Sequence, residues 1–288
     1  MGQSKTNSFY ANVPAEQFQR LLDFRARYPY QAAEIQGVPW RFIDSGGNGP
    51  VVFVLAGGTN IAETSFQSLE HLARRSRVIA PDYPPVARID VLFAGAAGLL
   101  DHLGIRQFNV VGGSYGGWMA QSLVRYCPDR VKKLVLTASG PPDPENSRQI
   151  EKMLPLLRLL PAALLRKMLL RTFANLVKSD QPGQQFMFAH LKETLYERVQ
   201  RADIIASMQR LVDQTKNYTF TPDDLKTWPG KILLLFGSDD PAATPEKRDA
   251  MLALYPRAKM HIISGADHSA ALTHQQEYFE VIDSFLAD

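Results

Sequence analysis

The sequence predicts an α/β domain: a mostly parallel, twisted sheet with helices on both faces and a helical cap inserted before the last strands. Three observations carry this reading. Between residues 51 and 138, short β-branched apolar runs alternate with longer helical ones, the rhythm of βαβ units. From Gly140 to about Trp228 the rhythm stops and helical spacing continues without a convincing strand, after which the strand pattern returns. The 288 residues are 45% hydrophobic and 21% charged, enough to build a large core and far from the composition of disordered or collagen-like chains.

The elements follow in order. Residues 33–43, with Gly37 between two extended runs, suggest an antiparallel hairpin at a sheet edge. Strands are expected at 51–55, 77–80, 108–111 and 133–137, where near-continuous apolar character fits a sheet covered on both faces. The helix expected over 65–75 places Phe66, Leu69 and Leu72 on one face, and the helix over 89–103 does the same with Leu92, Ala96, Leu99, Leu100 and Leu103. Late strands are read at 232–236 and 260–263, with helices at 246–254 and 271–286. These parts make a core of residues 1–140 and 229–288 around a cap of 141–228. In the cap, Pro155 and Pro161 should break or kink the first helix, and one or two amphipathic helices should follow the Gln181-Pro182-Gly183 break over 184–213. Residues 151–178 hold Lys152, Arg158, Arg166, Lys167, Arg171 and Lys178 against a single acid. A basic amphipathic surface that touches a membrane is one reading of that stretch; helix-on-helix packing is the favoured one.

Charge and cysteine content exclude several classes. The 32 Lys and Arg against 29 Asp and Glu leave +3, too little and too evenly mixed for a nucleic-acid binder. Cys127 is the only thiol, so neither an intramolecular disulfide nor a thiolate zinc site is expected, and it reads as a small structural hydrophobe. The first residues lack the apolar stretch of a signal peptide; Gly2 and Thr6 match the loose myristoylation pattern, set against the plainer reading of a polar end. The most apolar stretch, from Met153 to Leu170, is interrupted by Arg158, Arg166 and Lys167, so no stable membrane insertion is expected. The single cysteine fits a reducing compartment, and a cytoplasmic location is the expectation.

The chemistry begins where the strand at 108–111 runs into Gly112-Gly113-Ser114-Tyr115-Gly116-Gly117 and a helix follows. This is G-x-S-x-G in the strand, sharp turn and helix that a nucleophile elbow requires, and it lacks the Gly-Lys-Ser/Thr of a phosphate loop. A serine hydroxyl needs a base to take its proton and a carboxylate to orient that base. His268, in Gly265-Ala266-Asp267-His268 after a late strand, is the candidate base; the other five histidines fall in helices, the cap or a strand and read as surface or satisfied core residues. Asp240, in Gly237-Ser238-Asp239-Asp240-Pro241, is the favoured orienting acid, with Asp239 beside it left as the alternative. Asp267 reads as a turn residue and Asp143 as a distant reserve. For the oxyanion hole, the backbone amides of Tyr115 and of Gly58, in Ala56-Gly57-Gly58-Thr59-Asn60, are the candidates. No metal or organic cofactor is required.

With the elbow at Ser114, the Gly-Ser-Asp-Asp-Pro loop and Gly-Ala-Asp-His in this order over residues 51–288, the chain resembles the α/β-hydrolase superfamily. That resemblance implies the α/β-hydrolase fold and hydrolysis through a Ser114, Asp240 and His268 triad. Ala56-Gly57 stands where the family commonly has His-Gly, which alters the wall of the oxyanion hole. Arg77-Val78-Ile79-Ala80, Tyr83-Pro84, Leu99-Leu100-Asp101-His102-Leu103, Ser114-Tyr115-Gly116-Gly117 and Ala120-Gln121 are similar to maspardin-like proteins. Some of those are thought to be binding proteins with incomplete triads, so an idle adaptor or ligand-binding protein is the alternative, and the complete Ser/Asp/His set argues for an enzyme. Serine at the elbow argues against relatives that use an aspartate nucleophile. The expected activity is a carboxylesterase acting on a small-molecule ester with apolar acyl or alcohol groups, since the cap is rich in Leu, Met and Phe. C–C hydrolase, thioesterase and aminopeptidase chemistry stay open.

Overall fold

The computed structural model describes residues 8–177 and 183–288. Gly2 and Thr6 of the myristoylation pattern, and Lys178, Gln181 and Pro182 of the cap, lie outside the described residues. In chain order the elements are helix α1 (Ala15–Arg27), the hairpin β1 (Tyr30–Ile35) and β2 (Val38–Asp44), β3 (Val51–Leu55), α2 (Phe66–Leu72), β4 (Arg77–Pro81), α3 (Ile89–His102) and β5 (Phe108–Gly113). Next come α4 (Tyr115–Tyr126), β6 (Val131–Thr137), α5 (Pro144–Leu157), α6 (Ala162–Ala174), α7 (Gln184–Glu193) and α8 (Arg201–Asn217). The chain closes with β7 (Lys231–Gly237), α9 (Pro245–Leu254), β8 (Lys259–Ile263), α10 (Ala270–Thr273) and α11 (Gln275–Ala287).

The eight strands form one open sheet in the order β1-β2-β4-β3-β5-β6-β7-β8. Pairing is antiparallel only where β2 meets β1 and β4; every other pair is parallel. The edge hairpin turns at Gln36 and Gly37, both at positive φ, the conformation a two-residue hairpin turn demands. Successive residues of each central strand feed opposite cores, as the period of two requires. In β3, Phe53 and Leu55 face a core shared with Leu99 of α3 and Leu123 of α4, while Val52 and Val54 face one shared with Phe24, Phe66 and Ile282. Both sides are buried, which is why the central strands carry almost no polar residues.

The sheet grows to one side through β4 and to the other through β5, so β3 and β5 are the neighbours at which the winding reverses. In such sheets the loops leaving the carboxyl ends of those two strands diverge and leave a crevice. Leu55 at the end of β3 pairs with Gly112 near the end of β5, so the two loops leave the sheet side by side.

Between β6 and β7 the described chain is helical, with a third apolar cluster built from Leu154, Leu157, Leu165, Leu195, Ile204 and Val212 among others. Pro161 directly precedes α6, as a helix start tolerates. Pro155 does not end its helix at once: it sits inside α5, which ends two residues later. The stretch 184–213 resolves into two helices, joined by a π turn over Thr194–Arg198. Two further departures are local. The helix expected at 65–75 is a 3-10 turn over Ala62–Ser65 followed by α2, and the last helix is divided at His274. Helix α1 was not anticipated; it buries Leu21 and Phe24 against the sheet.

A polar cluster ties these parts together. Arg25 of α1 bridges Glu63 at 2.7 Å and Glu193 of α7 at 2.8 Å, and the Tyr10 hydroxyl donates to Glu193 at 2.6 Å. Arg198 reaches Glu63 at 3.2 Å and Asp82 at 3.3 Å, and the Tyr30 hydroxyl donates to Asp82 at 2.7 Å. Burial alone would raise the Glu193 carboxyl, but the neighbouring His190, 3.6 Å away, and hydrogen bonds from Arg25 and Tyr10 outweigh it and hold its pKa at about 2. Because that lies below the ordinary value of 4.5, the stabilisation is complete above pH 4.5 and is lost as pH falls toward 2. Thermal melts between about pH 5 and 2 should therefore show the wild type losing more of its Tm than Glu193→Gln over the same range; parallel curves would contradict the linkage.

Candidate active site

Ser114 stands between β5 and α4 at φ +53° and ψ −121°, a left-handed conformation that a residue with a Cβ adopts only at a cost. Its backbone is pinned on both sides. The Ser114 N–H donates to the Thr137 carbonyl at 2.9 Å, and its own carbonyl accepts from the Gly117 N–H at 2.9 Å. The turn is this tight because the helix begins almost in contact with the sheet. A Cβ on Gly116 would lie 2.3 Å from the Leu55 carbonyl oxygen, and one on Gly112 would lie 2.3 Å from the Gly116 carbonyl oxygen. The glycines of the motif are thus packing requirements, and their consequence is a serine lifted off the end of β5.

Asp240 follows β7 and His268 follows β8. Their loops are stitched to each other: the Ser238 N–H donates to the Ile263 carbonyl and the Asp239 N–H to the Ala266 carbonyl, both at 2.9 Å. The Gly265 N–H donates to Ser238 Oγ at 2.8 Å. This stitching sets Asp240, only 3% exposed, against the imidazole, with His268 Nδ1 2.9 and 3.0 Å from its two carboxylate oxygens. One of those oxygens also accepts the Ala242 N–H at 2.8 Å. Facing a carboxylate, Nδ1 carries the proton, which leaves Nε2 of the neutral ring with a free lone pair.

The neighbouring acids have other partners. Asp239 is exposed and accepts from the Ser238 hydroxyl at 2.7 Å, Asp267 accepts the Ser269 N–H at 2.8 Å, and Asp143 caps α5 through the Asn146 N–H at 2.9 Å. Between Asp239 and Asp240, which the sequence left open, it is Asp240 that meets the imidazole. Cys127 hydrogen-bonds to the Leu123 carbonyl, and burial pushes its thiol up to about 11, as befits a structural residue.

Ser114, His268 and Gly58 line one cavity of about 250 Å³ at the carboxyl ends of the central strands. Its walls are mainly apolar: Leu55, Val111 and Leu235 come from the sheet, and Phe173, Phe186 and Met187 from α6 and α7. No Asp, Glu, Lys or Arg is among the described residues that line it. Gly58 faces Phe173, whose Cζ would lie 3.2 Å from a Cβ at this position. Tyr115 opens α4, so its N–H belongs to the first-turn donors that find no acceptor within the helix. Its hydroxyl is occupied elsewhere, donating to the Ser207 carbonyl at 3.3 Å.

His190 lines the cavity and is the satisfied core residue expected of it: Nδ1 meets the Tyr10 hydroxyl at 3.0 Å and Nε2 the Glu63 carbonyl at 3.3 Å, so neither nitrogen is free for a substrate. One residue of this region has no counterpart in the sequence reading. Arg210 of α8 is fully buried and holds two loops and the start of α4 at once. It donates to Tyr115 Oη, Asn60 Oδ1 and the Val86 carbonyl, each at 2.7 Å, and to the Pro84 carbonyl at 3.3 Å. The sequence did carry a signal: Ser207, Arg210 and Gln214 repeat at helical spacing, a polar stripe on the buried side of α8.

Residues 51–281 match the Alpha/beta hydrolase family. The chain belongs to this family. It is 26% identical over 267 residues to 2-hydroxymuconate semialdehyde hydrolase of Pseudomonas sp. (strain CF600), a match covering 88% of this chain and 92% of the relative. Among solved structures, the enol-lactonase from Burkholderia xenovorans LB400 superposes with a TM-score of 0.74 at 16% identity, covering 90% of this chain and all of that one. The 2-hydroxy-6-oxo-6-phenylhexa-2,4-dienoate hydrolase of Rhodococcus sp. strain RHA1 does so at 0.68 and 18%, covering 91% and 99%. The two structural likenesses show the shared fold, and family membership makes this α/β hydrolase a hydrolytic enzyme. Among the described residues no helix is long and apolar enough to cross a membrane.

The close contact beneath Ser114 can be tested in isolation. Gly116→Ala should destabilise the protein by at least about 2 kcal/mol in urea denaturation, because the nearest atoms the new Cβ would strike are backbone atoms of Leu55 and Ala56. Gly140→Ala, where the nearest atom to a new Cβ is Lys247 Cδ at 3.8 Å, should change stability little.

Proposed function

We propose that this α/β hydrolase is a serine esterase that cleaves carboxylic esters with small to medium apolar groups through an acyl-enzyme on Ser114. The observation that supports the reading is the buried Asp240 carboxylate on His268 Nδ1, with His268 and Ser114 on a cavity whose described lining residues include no Asp, Glu, Lys or Arg.

In this mechanism His268 Nε2 takes the Ser114 proton as Oγ bonds to the ester carbonyl carbon. The carbonyl oxygen becomes an oxyanion, held by the N–H groups of Tyr115 and Gly58, and the dipole of α4 adds to its stabilisation. Asp240 keeps the imidazole oriented and stabilises the imidazolium while it exists. Collapse of the tetrahedral intermediate breaks the carbon–oxygen bond to the alcohol, which leaves with the proton from His268. Water then repeats the sequence: His268 removes its proton, its oxygen attacks the acyl carbon, and the carboxylic acid departs as Oγ regains a proton. An oxyanion-hole donor contributes about 3 kcal/mol in comparable enzymes, so the two amides are a major part of the rate.

A second reading is carbon–carbon bond hydrolysis, favoured by the full-length likeness to 2-hydroxymuconate semialdehyde hydrolase. A muconate semialdehyde bears a carboxylate, which is costly to enclose without a cationic partner. The lining described here offers none, and this favours a neutral ester.

With p-nitrophenyl butyrate, Ser114→Ala and Asp240→Asn should each lower kcat by about 10³-fold or more while circular dichroism is unchanged. A fluorophosphonate should label Ser114, located by peptide mass spectrometry, and should fail on Ser114→Ala. Turnover of 2-hydroxymuconate semialdehyde with none of the ester would replace the first reading by the second; wild-type ester turnover retained in Ser114→Ala would overturn both.

A further inference from the structure

The exposed apolar side chains of this protein are unevenly placed. Met153, Leu156, Leu159 and Leu164 are 46%, 59%, 81% and 43% exposed, and all four fall on the last turn of α5, the connecting turn and the first turn of α6. Leu154, Leu157 and Leu165 of the same segment are buried in the helical layer, so its apolar residues divide between an inner and an outer row. Helix packing, the expectation from sequence, accounts only for the inner row.

The outer row is flanked by positive charge. From residue 152 to 177 there are five Lys and Arg and no acid. Arg166 is spent on the Val199 carbonyl, at 2.7 Å. Lys152, Arg158, Lys167 and Arg171 are exposed, and none forms an ion pair with a described residue. Lys152, Leu156 and Leu159 repeat at helical spacing, as do Leu164, Lys167 and Arg171, so apolar and cationic side chains share each outer face.

We propose that this corner of α5 and α6 docks on an anionic lipid surface, its leucines entering the acyl boundary and its four exposed cations meeting the headgroups. Protruding apolar side chains ringed by Lys and Arg are the chemistry of an interfacial amphipathic element. Charge selects the occupant. A second copy related by a two-fold axis would set this patch against itself, like charge on like charge. The segment also continues into Phe173, Leu176 and Val177, which line the cavity, so the docking face and the cavity wall are parts of one stretch of chain. The inference stands apart from the esterase reading, because its readout is binding.

The test is co-sedimentation of the full chain with vesicles of phosphatidylcholine alone or with about 30% phosphatidylglycerol, at low salt and at about 0.5 M NaCl. The wild type should bind the anionic vesicles at least about tenfold more tightly than the neutral ones and lose that advantage at high salt. Leu156→Glu with Leu159→Glu, and separately Lys152→Glu with Arg158→Glu, should each weaken binding by at least about tenfold, with circular dichroism and thermal stability unchanged. Equal binding to both vesicles, or unchanged binding by the leucine variant, would overturn the proposal. So would a wild-type dimer in light scattering that the leucine variant converts to monomer, since the patch would then be an interface between copies.

Discussion

The first turn of α4 lies so close to the ends of β3 and β5 that only glycine fits at Gly112 and Gly116. The rest of the site depends on that contact. It forces the chain to leave β5 through a single strained residue, and it places that residue beside the loop leaving β3, because Leu55 and Gly112 are partners across the sheet. Parallel pairing does the remainder. β7 and β8 run in the same direction as β5, so the loops with Asp240 and His268 emerge at the same edge as Ser114, and backbone hydrogen bonds between those two loops bring acid and imidazole together.

The helical layer is anchored to the core by polar contacts as well as by its own apolar cluster. At one side, Arg25, Glu63, Glu193 and Tyr10 join α1 and the turn after β3 to α7. At the other, Arg210 fastens α8 to Tyr115, Asn60 and the stretch after β4. The hydrogen-bond acceptors around Arg210 are neutral oxygens, and the faces of Tyr83 and Tyr115 at 5.4 and 5.8 Å add to the stabilisation of this buried cation. Removing the guanidinium would leave several buried oxygens without a donor, which gives Arg210 a structural weight out of proportion to a single side chain.

Much of this was legible in the letters because the signals are local. An apolar run of five residues between turn residues can scarcely be anything but a covered strand here, and strand, Gly-x-Ser-x-Gly and helix together define the turn at Ser114. Asp239 and Asp240 could not be separated that way: both follow the same strand, and only the hydrogen bonds between the β7 and β8 loops decide which carboxylate turns inward. The role of Arg210 was illegible for a related reason, since its partners lie 95 to 150 residues away. His190 reads correctly as a satisfied core residue, but its partners Tyr10 and Glu63, 180 and 127 residues away, could not be named. Helix α1 was missed because it opens without a side-chain cap and its place is set by the sheet surface it covers. The outer leucines of α5 and α6 show the reverse error, since a leucine-rich helix reads as buried whether or not anything covers it.

The positive φ of Ser114 has a consequence for how this chain can drift over generations. The backbone at this position suits glycine, which would relax the turn and leave every surrounding hydrogen bond in place. Stability and chemistry therefore pull in opposite directions at residue 114. On the mechanism proposed for Ser114, a chain released from the need to turn over substrate would gain firmness by giving up this hydroxyl.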